Sequence, residues 1–124
     1  MLKRKVYQEL LKWKENTEGK ALCIIGARQI GKTTLIREFG KNEYEHFAEI
    51  NFVTGEKAAS IFNDKLTAET IITNLTAYLQ TPLEPGKTLI LFDEVQECPA
   101  VRSAIKFLVE DGRFDYIESG SLLG

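Results

Sequence analysis

The sequence predicts an α/β fold in which parallel strands alternate with helices. Short apolar runs typical of buried strands recur along the 124 residues, and segments with helical spacing of apolar side chains separate them. The segment from Gly26 to Thr34 has the pattern G-x-x-x-x-G-K-S/T and lies between such a run and a helical segment. A later run ends in the acid pair Asp93-Glu94. Both features belong at the carboxyl edge of a parallel sheet, where ligands bind.

The first predicted element is an amphipathic helix that precedes the first strand. Its apolar side chains recur every three or four residues: Leu2, Val6, Leu10 and Trp13. An apolar run over residues 21–25, bounded by glycines, predicts a strand that leads into the loop. Helical spacing then predicts a helix from Lys32 to Phe39, and we expect Gly40 to end it.

The middle of the chain predicts one strand and one helix. Apolar residues alternate imperfectly over residues 46–53, which favours a second strand. Thr67 is a suitable N-cap for a helix whose apolar side chains lie along one side: Ala68, Ile71, Ile72, Leu75, Tyr78 and Leu79. Prolines and a glycine between residues 81 and 86 then end that helix.

The last third of the chain repeats the alternation. The run over residues 88–92 is continuously apolar after its first residue, which is typical of a strand buried on both faces. A helix is predicted to begin near Pro99 and to end at Gly112, and a final strand covers residues 114–118. Strands that alternate with helices in this way predict a parallel sheet with right-handed crossovers.

The residues of the glycine-rich loop are suited to binding phosphate. Gly26 and Gly31 permit backbone conformations in which successive N–H groups turn inward around an anion. Lys32 reaches the β- and γ-phosphates, and Thr33 offers a hydroxyl to Mg²⁺ at the positive end of the following helix. We therefore predict nucleotide contacts along the whole loop: Gly26, Ala27, Arg28, Gln29, Ile30, Gly31, Lys32, Thr33 and Thr34.

The acid pair is predicted to complete a site for metal and water. A buried parallel strand delivers Asp93 and Glu94 to the sheet edge. Asp93 is predicted to hold Mg²⁺ through water, and Glu94 to orient and polarise the water that attacks the γ-phosphorus. The predicted catalytic residues therefore include Glu94 and Lys32, and the predicted metal ligands are Thr33 and Asp93.

The second acid also bears on the reaction class. A kinase needs an acceptor pocket and does not need a carboxylate at Glu94, so this residue favours hydrolysis of ATP. The chain has no Asn-Lys-x-Asp segment, the usual guanine-recognition sequence of GTPases, and GTP is therefore disfavoured. The alternative function is a nucleotide-dependent switch or interaction module, in which occupancy matters and hydrolysis is incidental.

Three segments resemble ATPases of the AAA+ superfamily, most closely a bacterial and archaeal group with a Gly-x-Arg-Gln-x-Gly-Lys-Thr-Thr loop. These segments are Gly26–Thr34, Leu91–Gln96 and Glu118–Ser121. The resemblance spans essentially the whole chain, and it implies ATP, Mg²⁺ and hydrolysis. It also implies a three-layer α/β/α P-loop NTPase domain of the additional-strand class. In that class another strand, here residues 114–118, lies between the loop strand and the acid-bearing strand.

The resemblance also extends to the end of the chain. It implies that Ser119 or Ser121 occupies the polar position that senses the γ-phosphate beside the attacking water, and Ser119 joins the predicted catalytic residues. The Ser-Gly-Ser segment suits an ordinary turn as well. Members of the group have a fifth strand and a separate C-terminal domain. We therefore expect residues 1–124 to be a P-loop (AAA+-like) ATPase domain truncated before the fifth strand, with that C-terminal domain and a second copy as possible partners.

The composition limits which partners and which cellular location we expect for this protein. With 44% hydrophobic and 27% charged residues, the chain suits one globular domain. Its net charge of −2 lacks the basic excess of a general nucleic-acid binder, so nucleic acid is not expected as a partner of this domain alone. No apolar run approaches the ~20 residues of a membrane span, and we expect a cytoplasmic protein. Cys23, Cys98 and His46 lack the spacing of a zinc site.

Overall fold

Four strands and four helices alternate along the part of the chain that the computed structural model describes, residues 2–16, 20–26 and 31–121. The strands are β1 (Leu22–Gly26), β2 (His46–Asn51), β3 (Thr88–Asp93) and β4 (Asp115–Ser121). The helices are α1 (Leu2–Glu15), α2 (Lys32–Glu43), α3 (Ala68–Leu79) and α4 (Ala100–Asp111). Short 3₁₀ turns at Ala58–Phe62 and Val95–Glu97 precede α3 and α4.

The four strands form one parallel sheet in the order β1-β4-β3-β2. β4 pairs with β1 on one side and with β3 on the other. The last described strand therefore lies between the strand that leads into the loop and the strand that ends at Asp93, which confirms the predicted additional strand. Because all four strands run in one direction, their carboxyl ends meet at one edge of the sheet.

Helices cover both faces of the sheet, which confirms the predicted three-layer α/β/α arrangement. On one face, α1 and α2 pack against β3 and β4 in a buried cluster: Leu10, Ile36, Phe39, Leu89, Leu91 and Ile117. On the other face, α3 and α4 cover a larger cluster whose sheet members are Ile50, Ile90, Phe92 and Tyr116. Every residue of β3 is buried, because both faces of this strand are covered.

Aromatic packing supports the sheet directly beneath its carboxyl edge. The Phe92 ring stacks on Tyr116 of the neighbouring strand, with ring centroids 5.9 Å apart. The Phe62 ring meets Phe92 edge to face at a centroid distance of 5.6 Å. Offset and edge-to-face ring pairs add about 0.5–1.5 kcal/mol each beyond the burial of their area. This packing immobilises the residue that immediately precedes Asp93.

The helix after the loop is longer than predicted. We expected Gly40 to end α2, and this prediction is wrong, because the helix continues to Glu43 with Tyr44 as its C-cap. Gly40 is buried where α2 passes close to β2, and a Cβ at this position would lie 2.3 Å from Cδ1 of Phe47. The glycine therefore allows close approach of helix and strand and does not terminate the helix.

Two strand ends also differ from prediction. β4 was expected to end at Glu118 but runs through Ser121, which pairs with Gly26 of β1. The Ser-Gly-Ser segment is therefore strand and not turn. β2 ends at Asn51, before residue 53, because the Asn51 Oδ1 accepts two of the following main-chain N–H groups at 2.8 and 2.9 Å. Such a side-chain bond favours a turn over continued strand pairing.

The predicted boundaries of α3 and α4 are confirmed. Thr67 Oγ1 accepts a hydrogen bond from the N–H of Thr70 at 3.3 Å, as an N-cap does. Gly112 ends α4 in the left-handed conformation with a φ of 77°. None of the helices in the described ranges combines the length and the apolar character needed to cross a bilayer.

The close approach at Gly40 predicts the effect of adding one methyl group. Gly40→Ala is expected to lower the free energy of unfolding by about 1–3 kcal/mol through overpacking against Phe47. In an exposed helix the same substitution stabilises by ~1 kcal/mol, so the predicted sign is opposite to that of helix propensity. Urea denaturation of the two proteins measures the change.

A Phe47→Ala background is the control, because it removes the ring that the new methyl group meets. In that background Gly40→Ala is expected to be neutral or stabilising, so that a double-mutant cycle isolates the contact. A gain in stability from Gly40→Ala in the wild-type background would show that the helix and strand are not in close contact here.

Candidate nucleotide site

The carboxyl edge of the sheet brings together the ends of three strands. Gly26 lies opposite Ser121 in the pairing of β1 with β4, and Asp93 lies opposite Ser119 in the pairing of β3 with β4. α2 begins at Lys32, after the loop that follows β1. Segments far apart in the sequence therefore place their polar side chains at one edge.

The structure describes the two ends of the predicted phosphate-binding loop. Gly26 is the last residue of β1, and Gly31 precedes α2 in the left-handed conformation with a φ of 96°. This φ explains the second glycine of the pattern, because side chains other than hydrogen disfavour it. Thr34, the last predicted contact, is exposed in the first turn of α2. Four predicted contacts lie outside the described residues: Ala27, Arg28, Gln29 and Ile30.

A main-chain carbonyl holds the Lys32 ammonium group. Nζ of Lys32 donates a hydrogen bond to the carbonyl oxygen of Gly120 at 2.7 Å, in a partly buried position. A partly buried ammonium group needs an acceptor, because its loss of hydration otherwise goes uncompensated. The contact joins the start of α2 to the end of β4.

The predicted metal ligands lie in contact with each other. The Thr33 hydroxyl donates to Asp93 Oδ2 at 3.3 Å, and the N–H of Glu94 donates to Asp93 Oδ1 at 2.9 Å. These two hydrogen bonds fix the plane of the Asp93 carboxylate. The structure therefore brings the Thr33 hydroxyl, from the segment after β1, into contact with the Asp93 carboxylate of β3.

Burial governs the electrostatics of Asp93. The residue is only 6% exposed. Burial raises the pKa of Asp93, and the nearby negative charge of Glu94 raises it further, whereas hydrogen bonds from the Glu94 N–H and from Thr33 act in the opposite direction. An unscreened carboxylate of this kind attracts a cation more strongly than one in water, because the surroundings have a low dielectric constant.

Glu94 occupies an unusual backbone conformation immediately after β3. Its φ of 58° and ψ of 47° lie in the left-handed region, where a residue with a Cβ is rarely found. The side-chain Oε1 accepts a hydrogen bond from Gln96 Nε2 at 2.8 Å. Left-handed residues outside glycine persist where surrounding contacts enforce them, and they concentrate at functional sites. The conformation turns the chain sharply at the edge of the sheet where β3 ends.

Ser119 lies beside Asp93 with a buried and unsatisfied hydroxyl group. The two residues are opposite each other in neighbouring strands, which places their side chains on the same face of the sheet. Ser119 is 0% exposed, and its Oγ has no hydrogen-bond partner among the described residues. Buried hydroxyl groups normally have a partner. An orphaned hydroxyl next to a carboxylate therefore fits a polar ligand at this edge.

Sequence reasoning missed the role of two residues at the end of β4 and after β3. Gln96 was not among the predicted site residues and was named only as the end of the matched Leu91–Gln96 segment, and Gly120 was named only as part of the Ser-Gly-Ser segment. In the structure, Gln96 Oε1 accepts from the N–H of Ser121 at 3.2 Å. A Cβ at Gly120 would lie 2.6 Å from that same oxygen. The spacing of Gln96, two residues after Glu94, was the available signal.

Comparison with known proteins agrees with this geometry. The family model of an AAA domain matches residues 18–124, a range that includes the four strands, the glycine-rich segment after β1 and the acid pair. No curated protein matches the chain. The matched range covers most of the sequence. The chain therefore belongs to this family of AAA domains, and it is a nucleotide-binding module of the AAA type.

Proposed function

We propose that this module binds ATP with Mg²⁺ and hydrolyses it to ADP and phosphate, and that this cycle drives or regulates an attached C-terminal domain. The observation that carries the proposal is the contact between Thr33 and Asp93 at 3.3 Å. It joins the hydroxyl of the phosphate loop to the carboxylate of the acid pair, and both act on one cation in phosphoryl transfer. Membership of the AAA family supports the same reading.

Lys32 and the loop are the proposed phosphate-binding groups. The N–H groups at the start of α2 and the loop from Gly26 to Thr34 suit the phosphate oxygens, because the positive end of a helix attracts anions. We propose that Lys32 exchanges the Gly120 carbonyl for a phosphate oxygen when nucleotide binds. A charged phosphate is the stronger acceptor, so the exchange favours the bound state.

Thr33 and Asp93 are the proposed ligands of Mg²⁺. Both supply oxygen, the donor that this ion prefers. Within the described ranges there is no cluster of three or more His, Cys, Asp or Glu residues arranged to hold a metal, so phosphate and water would supply the remaining ligands. When bound, the cation offsets the negative charge on the β- and γ-phosphate oxygens.

Glu94 and Ser119 are the proposed groups that act on the attacking water and the γ-phosphate. The Glu94 carboxylate accepts a hydrogen bond from the water, orients the water oxygen towards the γ-phosphorus and takes the proton as the new P–O bond forms and the bond to the ADP oxygen breaks. The Ser119 hydroxyl donates to no acceptor among the described residues, and it can therefore donate a hydrogen bond to a γ-phosphate oxygen. Glu94 directly follows Asp93 in the chain, and Ser119 lies opposite Asp93 in β4, so both residues adjoin a proposed metal ligand.

Removing the Lys32 ammonium is expected to abolish the stabilisation of the chain by nucleotide. Mg·ATP at 100 times its Kd should raise the free energy of unfolding by ~2.7 kcal/mol in the wild-type chain, and by little or nothing in Lys32→Ala. Thermal denaturation with and without Mg·ATP measures this difference. Lys41→Ala is the matched control, because Lys41 is exposed in the last turn of the same helix. An undiminished shift in Lys32→Ala would overturn the assignment of the loop.

Asp93→Asn is expected to remove the Mg²⁺ dependence of ATP binding while stabilising the nucleotide-free chain at neutral pH. Because burial raises the pKa of Asp93, the folded chain binds this proton more tightly than the unfolded chain. That stabilising contribution is complete below the unfolded pKa and is lost as the pH rises through the folded pKa. At pH 7 the ionised Asp93 therefore lowers stability, and the amide does not.

The melting temperatures of both nucleotide-free proteins between pH 4 and pH 8 test this expectation. The advantage of Asp93→Asn should grow as the pH rises and then level off. Calorimetric titration of ATP with Mg²⁺ or with EDTA tests the metal role. A difference in melting temperature that does not change with pH would contradict the raised pKa of Asp93. Unchanged Mg²⁺ dependence of ATP affinity would contradict its role as a metal ligand.

Glu94→Gln is expected to reduce ATP hydrolysis by about 10²–10⁴-fold with little change in the Kd for Mg·ATP, because the amide cannot accept a proton from water. Phosphate release under single-turnover conditions measures the rate. Glu97→Gln makes the same substitution at an exposed position in the 3₁₀ turn that follows Glu94 and is the control. Equal rates for Glu94→Gln and the wild-type chain would favour the alternative function, a switch in which hydrolysis is incidental.

A further inference from the structure

Two hydrogen bonds converge on one peptide group at the end of β4. The carbonyl of Gly120 accepts from Lys32 Nζ at 2.7 Å, and the N–H of Ser121, in the same peptide unit, donates to Gln96 Oε1 at 3.2 Å. The pairing of β3 with β4 ends at Asp93 and Ser119. The Gln96 side chain therefore supplies an acceptor where β3 no longer provides a main-chain carbonyl.

The other end of the Gln96 amide holds Glu94. Nε2 of Gln96 donates to Glu94 Oε1 at 2.8 Å. Its two partners differ in kind, because the Ser121 N–H can only donate and an ionised carboxylate can only accept. One orientation of the amide satisfies both, so Gln96 fixes the Glu94 side chain relative to the end of β4.

Gly120 provides the space that this bridge needs. A Cβ at Gly120 would lie 2.6 Å from Gln96 Oε1 and 3.3 Å from Cγ2 of Val95. The first of these atoms is the far end of a flexible side chain. A methyl group at Gly120 would therefore displace the Gln96 amide and leave the strand in place.

The peptide group between Gly120 and Ser121 connects Lys32 to Gln96 electrostatically. An ammonium group on the carbonyl polarises the peptide and makes its N–H a better donor, as in other hydrogen-bonded chains. If Lys32 moves to a phosphate, the carbonyl loses this partner and the N–H bond to Gln96 weakens. The hold of Gln96 on Glu94 then depends on whether Lys32 contacts the carbonyl or the nucleotide.

We propose that Gln96 is a positioning residue that couples the state of Lys32 to the orientation of the Glu94 carboxylate, through the peptide group between Gly120 and Ser121. The inference rests on the proposed function of Glu94 and Lys32. In the nucleotide-free chain Gln96 holds Glu94 in one defined orientation. Phosphate binding at Lys32 weakens the bond from the Ser121 N–H to Gln96, whereas the bond from Gln96 to Glu94 remains, so the amide and the carboxylate adjust together when the carboxylate engages water.

NMR spectroscopy of the nucleotide-free chain tests the coupling without any hydrolysis. Lys32→Met keeps an unbranched apolar chain and removes the ammonium group, and it should shift the Ser121 backbone amide proton upfield and move the side-chain amide signals of Gln96. Lys41→Met on the same helix should leave these signals in place. A β,γ-methylene analogue of ATP with Mg²⁺ should shift the wild-type signals in the same direction as Lys32→Met.

Kinetics test the positioning of Glu94. Gln96→Ala and Gly120→Ala are each expected to lower the single-turnover rate of ATP hydrolysis by about 10–100-fold, the size of effect that a misplaced reacting group produces. The Kd for Mg·ATP should stay within about threefold of the wild-type value, since neither substitution removes a phosphate ligand. Gln96→Asn, which shortens the bridge but keeps the amide, should retain more activity than Gln96→Ala.

The pH profile of Gln96→Glu separates positioning from a purely structural role. When protonated, the introduced carboxyl group can donate to Glu94 as the amide does, and when ionised it repels the carboxylate. The rate of this variant relative to the wild-type chain should therefore rise as the pH falls from 8 to 5. Gln8→Glu, at an exposed position on α1, should show no such trend.

The outcomes distinguish this inference from the proposed function. Unchanged Ser121 and Gln96 signals in Lys32→Met, or wild-type rates in both Gln96→Ala and Gly120→Ala, would overturn the coupling while leaving ATP hydrolysis intact. A wild-type chain that binds Mg·ATP without hydrolysing it would instead overturn the proposed hydrolytic function. The NMR comparison still decides the link between Lys32 and Gln96 in that case.

Discussion

The pairing of β4 between β1 and β3 is the constraint on which the rest of the structure depends. It aligns the carboxyl ends of the three strands, so that Ser119 lies beside Asp93 and the end of β4 lies beside the start of α2. Without the central strand, Lys32 would lack the Gly120 carbonyl as its partner. The polar groups at this edge therefore meet because of the strand order. Burial of apolar side chains on both faces of the sheet stabilises this order.

These polar groups lie at the end of a sheet whose inner strand β3 is fully buried, and this position accounts for their electrostatic properties. β3 is buried along its whole length, and the Phe92 and Tyr116 rings pack against each other below the edge. Burial raises the pKa of Asp93 and leaves the Ser119 hydroxyl without a partner in the described part of the chain. Both features lower the stability of the nucleotide-free chain. Both also strengthen interactions with a cation or a phosphate, because a low dielectric constant screens charges less.

The hydrogen bonds around Gln96 connect Lys32 at the start of α2 to Glu94 after β3. Lys32, the peptide group of Gly120 and Ser121, Gln96 and Glu94 form one connected series of contacts. In the absence of nucleotide each charged group in the series has a partner within the chain. In the proposed mechanism, nucleotide replaces the Gly120 carbonyl as the partner of Lys32 and so alters the series at one end. The proposed chemistry and its control thus depend on the same few contacts.

The local sequence was sufficient to predict the α/β class, a buried strand that ends at the acid pair, the N-cap of α3 and the glycine that ends α4. These features follow from periodicity and from the conformational preferences of neighbouring residues. The position of β4 in the sheet came from a family resemblance. Only the tertiary structure showed that Gly40 lies within α2, that β4 runs through Ser121, and that Gln96 joins Glu94 to β4. Each of these depends on contacts between distant parts of the chain, which local patterns do not encode.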